Sequence, residues 1–299
     1  MKWRKQDKSW MLGLYGTAIG AGTLFLPINA GINGLVPLLI LATLAFPMTY
    51  FSHRALCRFV LSGSDHQANI NGVVDEHFGH TAGRLLTFLY FFSIYPVVLL
   101  YSVAITNTTQ SFIHNQLGIV PPSRAIVSIF LILILMGIVR IGQHAIIKAM
   151  SLLVYPFVFT LFILAIYLIP HWNGAIFTTT LVGSGDASHQ TLLKSLWLGI
   201  PVIIFSFNHS PIISSFAVKQ RHQYGEHADA KCNVILKRSH LMMVITVFFF
   251  VFSCVLSLSP ADLSAAKQQN ISILSYLANH FESPFISYVA PTVAFIAIA

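Results

Sequence analysis

The stretch Gly16-Thr17-Ala18-Ile19-Gly20-Ala21-Gly22-Thr23-Leu24-Phe25-Leu26-Pro27 decides how this chain is read. It interrupts an apolar run from Trp10 to Ile32. About 20 apolar residues, each rising about 1.5 Å along a helix, cross the hydrocarbon of a bilayer. In lipid every backbone N–H and C=O needs an internal partner, so glycines and a proline at mid-depth are tolerated only where the freed groups line a cavity or hold a solute. The same device recurs in Leu192 to Val218, whose middle reads Ser206-Phe207-Asn208-His209-Ser210-Pro211. Matching interruptions in two parts of a chain point to the binding site of a secondary transporter.

Composition agrees. Of the residues, 56% are hydrophobic and 9% charged, with 24 phenylalanines, and the mean hydropathy is +0.74. That excludes a disordered chain and argues against a soluble domain. The first run is too long for a signal-peptide core and lacks an Ala-x-Ala cleavage site, so it reads as a membrane helix. Eight spans are expected, at about 10–32, 34–60, 84–113, 122–140, 147–169, 192–218, 235–259 and 284–299. A short loop helix is expected near Val73 to Phe78, and a surface helix over Ile271 to Phe281.

The net charge of +8 could suggest nucleic acid. The positions of the basic residues say otherwise. With the N-terminus in the cytoplasm, only Arg124, Lys194 and Lys267 of the 17 Lys and Arg fall outside. This is the positive-inside pattern; the basic excess sets topology beside lipid headgroups, and no nucleic-acid partner is expected. In this orientation the first span runs inside to outside and the sixth runs back, so a second five-helix unit would be inverted relative to the first. We read one transmembrane domain over 1–299, with a first repeat at about 10–169 and a partial second at about 192–299. Pro284 to Ala299 is short of a full crossing, at about 16 residues, which suggests the front part of a longer protein.

Cys57, Cys232 and Cys254 form no CxxC and read as small, reduced packing residues. The 13 histidines lie mostly in loops. His77 and His80 are three apart with no further ligand nearby, so neither a metal nor a cofactor is expected. HExxH, GxSxG and paired intramembrane acids are all missing, which argues against an enzyme.

The stretch quoted first resembles the first-helix signature of the bacterial hydroxy and aromatic amino acid permeases. Phe205-Ser206-Phe207-Asn208-His209-Ser210-Pro211-Ile212-Ile213-Ser214-Ser215-Phe216 is similar to that family's sixth helix. The likeness continues through Tyr224-Gly225-Glu226, Leu256-Ser257-Leu258-Ser259-Pro260 and Gln269-Asn270-Ile271-Ser272-Ile273-Leu274-Ser275-Tyr276. It covers essentially the whole chain, with the serine and threonine transporters nearer than those for tryptophan and tyrosine. It implies an all-α membrane protein with the LeuT-like inverted-repeat fold, here with about eight of the usual eleven helices. It also implies import of an amino acid across the bacterial inner membrane, usually driven by protons. Against transport stands an inserted fragment that moves nothing, because the helices after the eighth are missing.

The chemistry of the breaks fits such a substrate. Free N–H groups at the start of a half-helix near Gly20, Ala21, Gly22 and Thr23 suit a carboxylate; the alternative use of the glycines is close helix packing. Side-chain oxygens and freed carbonyls at Ser206, Asn208 and Ser210 suit an ammonium. His209, at mid-depth, contacts the substrate, carries a proton, or stays neutral and hydrogen-bonded. With no Asp or Glu inside any expected span, coupling to a proton, or to sodium, falls to His209 or Lys148. Lys148 either releases a proton on desolvation or snorkels to the inner surface. Tyr101, in the third span, flanks the substrate or packs the helix.

Overall fold

The computed structural model describes residues 3–140, 143–178, 186–281, 286–289 and 293. Within these, the side chains of Ala21, 138–139, 143–154, 178 and 186–191 lie outside the description. Every regular element among the described residues is a helix.

The first span is two helices. Helix α1, Lys5–Ala18, stops where Ile19 turns extended (φ −83°, ψ 101°), and α2, Ala21–Gly31, restarts after Gly20 (φ −151°, ψ −145°). The halves meet at 53°. Pro27, inside α2, has no N–H to give the Thr23 carbonyl one turn back, so that carbonyl is freed as well.

Then come α3 (Leu35–Leu61), α4 (Ile70–Phe78), α5 (His80–Asn115), α6 (Arg124–Arg140), α7 (Gln143–Leu168) and the short α8 (Ala175–Thr178). The loop helix α4 begins earlier than the spacing suggested, because Asn69 caps it by accepting from the Gly72 N–H at 3.1 Å. The sixth span is again two helices, α9 (Asp186–Ser206) and α10 (Ser210–Tyr224), followed by α11 (Ala228–Ser257).

Helix α11 is the hub. It packs against α1, α2, α3, α7 and α10 and buries Met243, Val247, Phe250, Val251 and Cys254. All three cysteines are free and buried. At the periphery α5 and α6 pack on each other and turn Phe88, Phe91, Phe92, Tyr95, Phe130 and Leu133 outward, each more than half exposed. An apolar face that wide belongs against lipid rather than water. By length and hydropathy, Leu35–Leu61, His80–Asn115 and the run Ser210–Ser257 can each cross a membrane, and the bent pair α1–α2 counts as a fourth. The chain is a multi-pass, all-helical membrane protein. Its eighth expected span lies outside the described residues except for 286–289 and 293, which are helical.

One expectation is corrected. In place of a surface helix over 271–281 there are two helices, α12 (Pro260–Gln269) and α13 (Ile273–His280), joined at Asn270 in the left-handed region (φ 51°). Helix α13 is inserted, burying Ile273 through Ala278 and packing on α2 and α5. Apolar spacing finds a helix, but whether its face meets water or protein depends on neighbours far away in sequence.

Ser259 and Asp262 cap α12 reciprocally. Asp262 also accepts from the Tyr276 hydroxyl at 2.9 Å, tying α13 to α12. Burial pushes the Asp262 carboxyl up, but the bonds from Ser259 and Tyr276 outweigh it and hold the group below the ordinary carboxylate range. Burial and the same bond push Tyr276 up to about 12. A depressed carboxyl stabilises the fold at neutral pH and loses that contribution as pH falls below about 4. Asp262→Ala is expected to cost about 1–2 kcal/mol at pH 7, with the gap to wild type closing in acid. Thermal unfolding in detergent at the two pH values checks this.

Candidate functional site

The two breaks meet. A Cβ on Gly22 would stand 2.7 Å from the Ser206 Cα and 3.0 Å from the Phe205 ring. Only glycine lets the two backbones approach this closely. Beside the contact, toward the Asn29 end of α2, lies a cavity of about 390 Å³, within the range of about 300–1,000 Å³ common to small-molecule sites. Gly22, Phe25, Asn29, Tyr101, Phe205 and Asn270 are among its walls. The Tyr101 ring stands edge-on to Phe205 with centroids 5.8 Å apart.

The remaining residues singled out in the sequence divide. Gly20 is the cap of α2, and Ala21 its first residue, with a side chain outside the description. Thr23 is buried, and its hydroxyl has no partner among the described residues. The Ser206 hydroxyl is spent on its own helix, donating to the Val202 carbonyl at 2.8 Å. Asn208 accepts from the Ser210 N–H at 3.0 Å; neither residue lines the cavity. Lys148 falls on α7, with its side chain outside the description.

His209 also turns away from the cavity, into a cluster that the sequence reading missed. His53 of α3 stacks on it with centroids 4.0 Å apart, and His240 of α11 lies 4.6 Å away. All three are buried. The His209 backbone N–H donates to His53 Nε2 at 3.2 Å. One ring nitrogen from each of the three lies within 4.8 Å of the others, a spacing that one small cation can bridge. The available signal was two histidines inside the expected spans 34–60 and 235–259, where ionisable residues are costly and tend to be functional.

Comparison with known proteins agrees with this picture. Residues 8–299 match the tryptophan/tyrosine permease family. The chain belongs to that family. It is 63% identical over 296 residues to the serine transporter SdaC of Escherichia coli K12, covering 99% of this chain and 69% of that protein. SdaC of E. coli O157:H7 gives the same figures, and that of Shigella flexneri is 62% identical. No solved structure matches. Membership makes the chain an amino acid permease rather than an enzyme.

At its Asp7 end the permease holds a buried ion pair. Lys231 Nζ lies 2.7 Å from Asp7 Oδ2, and both are almost fully buried. The Tyr224 hydroxyl donates to Asp7 Oδ1 at 2.7 Å, and the Arg4 N–H donates to its other oxygen at 2.8 Å. Lys231 also lies over the rings of Trp3 and Tyr224, at 5.1 and 5.0 Å. The start of α1 is thereby tied to α10 and α11.

Proposed function

We propose that this permease imports serine across the bacterial inner membrane by cation symport, the cation being a proton, with its N-terminus in the cytoplasm. The observation that carries the reading is the contact of the two helix breaks at Gly22 and Ser206 beside a cavity that also holds Tyr101. The similarity to serine transporters supplies the substrate class and favours transport over an inert fragment.

The substrate carboxylate takes the start of α2. Gly22 and Tyr101 both line the cavity there, and a carboxylate between the Gly22 N–H and the Tyr101 hydroxyl gains two donors and the positive end of a helix dipole. The C-terminal carbonyls of α9 and the Thr23 carbonyl freed by Pro27 suit the ammonium. Phe25 and Phe205 keep water from the pair, which strengthens both interactions. The inward tie at Asp7 and the cavity on the other side of Gly22 describe a transporter closed toward the cytoplasm. Two opposed units with matched breaks suit a LeuT-like inverted repeat. Coupling is assigned to His209, with Lys148 as the second candidate and sodium as the alternative ion.

The test is uptake of labelled serine by cells that lack their own serine uptake and express the chain. Saturable accumulation, inhibited by unlabelled serine or threonine far more than by tryptophan, is the expected result. Stronger inhibition by tryptophan rejects the hydroxy amino acid assignment.

A further inference from the structure

We propose that His53, with His209 and His240, takes up the coupling proton, and that a proton on His53 releases the break of the sixth span. This rests on the symport reading but places the acceptor on a different helix, α3, and gives it a mechanical consequence.

The hydrogen bonds fix which nitrogens carry hydrogen. The Thr49 carbonyl lies 2.6 Å from His53 Nδ1, and the Leu236 carbonyl 2.9 Å from His240 Nδ1. Carbonyls only accept, so both Nδ1 atoms are N–H donors. The His209 backbone N–H only donates, so His53 Nε2 presents its lone pair. His240 Nε2 then presents its own lone pair, 3.4 Å from His53 Nδ1. That leaves the His209 ring fully buried with neither nitrogen partnered among the described residues. A buried polar ring without a partner is costly. Any rearrangement that gives the ring a partner lowers that cost.

The consequence follows from one bond. A proton added to His53 Nε2 occupies the lone pair that accepts from the His209 backbone. The N–H of His209 then faces another N–H, and the 3.2 Å bond is lost. His209 is the N-cap of α10, so the half-helix after the break loses the hydrogen bond that ties its first turn to α3, while its far end stays bonded through Arg221 and the Leu61 carbonyl. Nothing is oxidised or reduced; one N–H bond forms and one hydrogen bond breaks.

The other groups on the packed elements are already engaged. On α3, the Tyr50 hydroxyl donates to Asn233, and Arg54 pairs with Asp229 of α11. The Tyr50 ring stands 5.9 Å from His240. On α1, the Tyr15 hydroxyl bonds Thr246. No carboxylate hydrogen-bonds or ion-pairs with the three rings among the described residues. A metal ion fits less well than a proton, because the His53 lone pair is already taken and only two lone pairs remain.

The test is hydrogen exchange on the purified chain, followed in peptides covering 205–212 and corrected for intrinsic rates. From about pH 8 to pH 5, the range where histidine changes charge, wild type is expected to lose about tenfold protection there, one hydrogen bond's worth. In His53→Gln the amide oxygen still accepts from His209 but does not titrate, so protection stays the same at both values. A wild-type segment indifferent to pH overturns the proposal. So does saturable stabilisation by zinc that His53→Gln abolishes, which makes the cluster a metal site. If His53→Gln fails to fold, His240→Gln must shift the midpoint of the exchange change, and an unshifted midpoint overturns it equally. In vesicles, His53→Gln is expected to exchange serine but not to accumulate it with protons. Normal proton-coupled accumulation by the variant rejects the role of His53 and leaves the serine reading standing. If wild type moves no serine, the symport reading fails, and exchange alone still judges the switch.

Discussion

Gly22→Val is expected to abolish serine uptake while the protein still reaches the membrane. The first added atom stands 2.7 Å from the Ser206 Cα, a backbone atom that cannot rotate away, and 3.0 Å from the Phe205 ring. The two broken helices must therefore separate, beside the cavity that Gly22 and Tyr101 both line. Overpacking of this kind costs about 1–3 kcal/mol, which a folded membrane protein can survive. A shift of about 1 Å at a site that depends on position costs on the order of 100-fold in rate. Uptake should thus fall by about 100-fold or more at unchanged expression, and Gly22→Ala should show a milder form of the same loss. Gly13→Ala and Gly137→Ala are the controls, since nothing lies within 4 Å of an added Cβ at either. Normal uptake and affinity in Gly22→Val would remove Gly22 from the site.

The breaks were legible because they offend a rule that lipid enforces strictly. Glycines at 20 and 22 and a serine, asparagine, histidine and proline at 206–211 stand out in apolar surroundings. That the two breaks touch follows from no periodicity; it needs α2 packed on α9. The histidine cluster shows the limit most clearly. His53, His209 and His240 come from three separate stretches of the chain, and only His209, at the mid-depth break, stood out alone; His53 and His240 resemble ordinary residues near span ends. Pattern reading assigns faces within one helix, and cannot say which three faces converge. The inserted α13 was misplaced for the same reason. Lys231 counted as one more positive charge on the inner side, yet the structure buries it against Asp7. Asp7 in turn lies within α1, because that helix starts at Lys5, before the apolar run begins.

That ion pair supports the second large effect. Lys231→Met is expected to destabilise the protein by about 3–5 kcal/mol, the usual cost of stranding one member of a buried pair. Asp7 would keep the Tyr224 hydroxyl and the Arg4 N–H, two neutral donors that cannot replace a cation at 2.7 Å. Asp7→Asn should cost less. Its stranded partner still lies over the rings of Trp3 and Tyr224, and a cation over an aromatic face retains about 0.5–2 kcal/mol of attraction. The double variant Asp7→Asn, Lys231→Met removes both charges and should recover most of the loss, because a neutral pair of similar size incurs no charge desolvation. Thermal unfolding of the four proteins in detergent gives the order directly: wild type and double variant above Asp7→Asn, with Lys231→Met lowest. If Lys231→Met instead costs under about 1 kcal/mol, as solvent-exposed pairs do, water reaches Asp7 and the pair is not buried in the way described. The same variant should loosen the start of α1 from α11, so protease access to residues 3–10 should rise in step with the loss of stability.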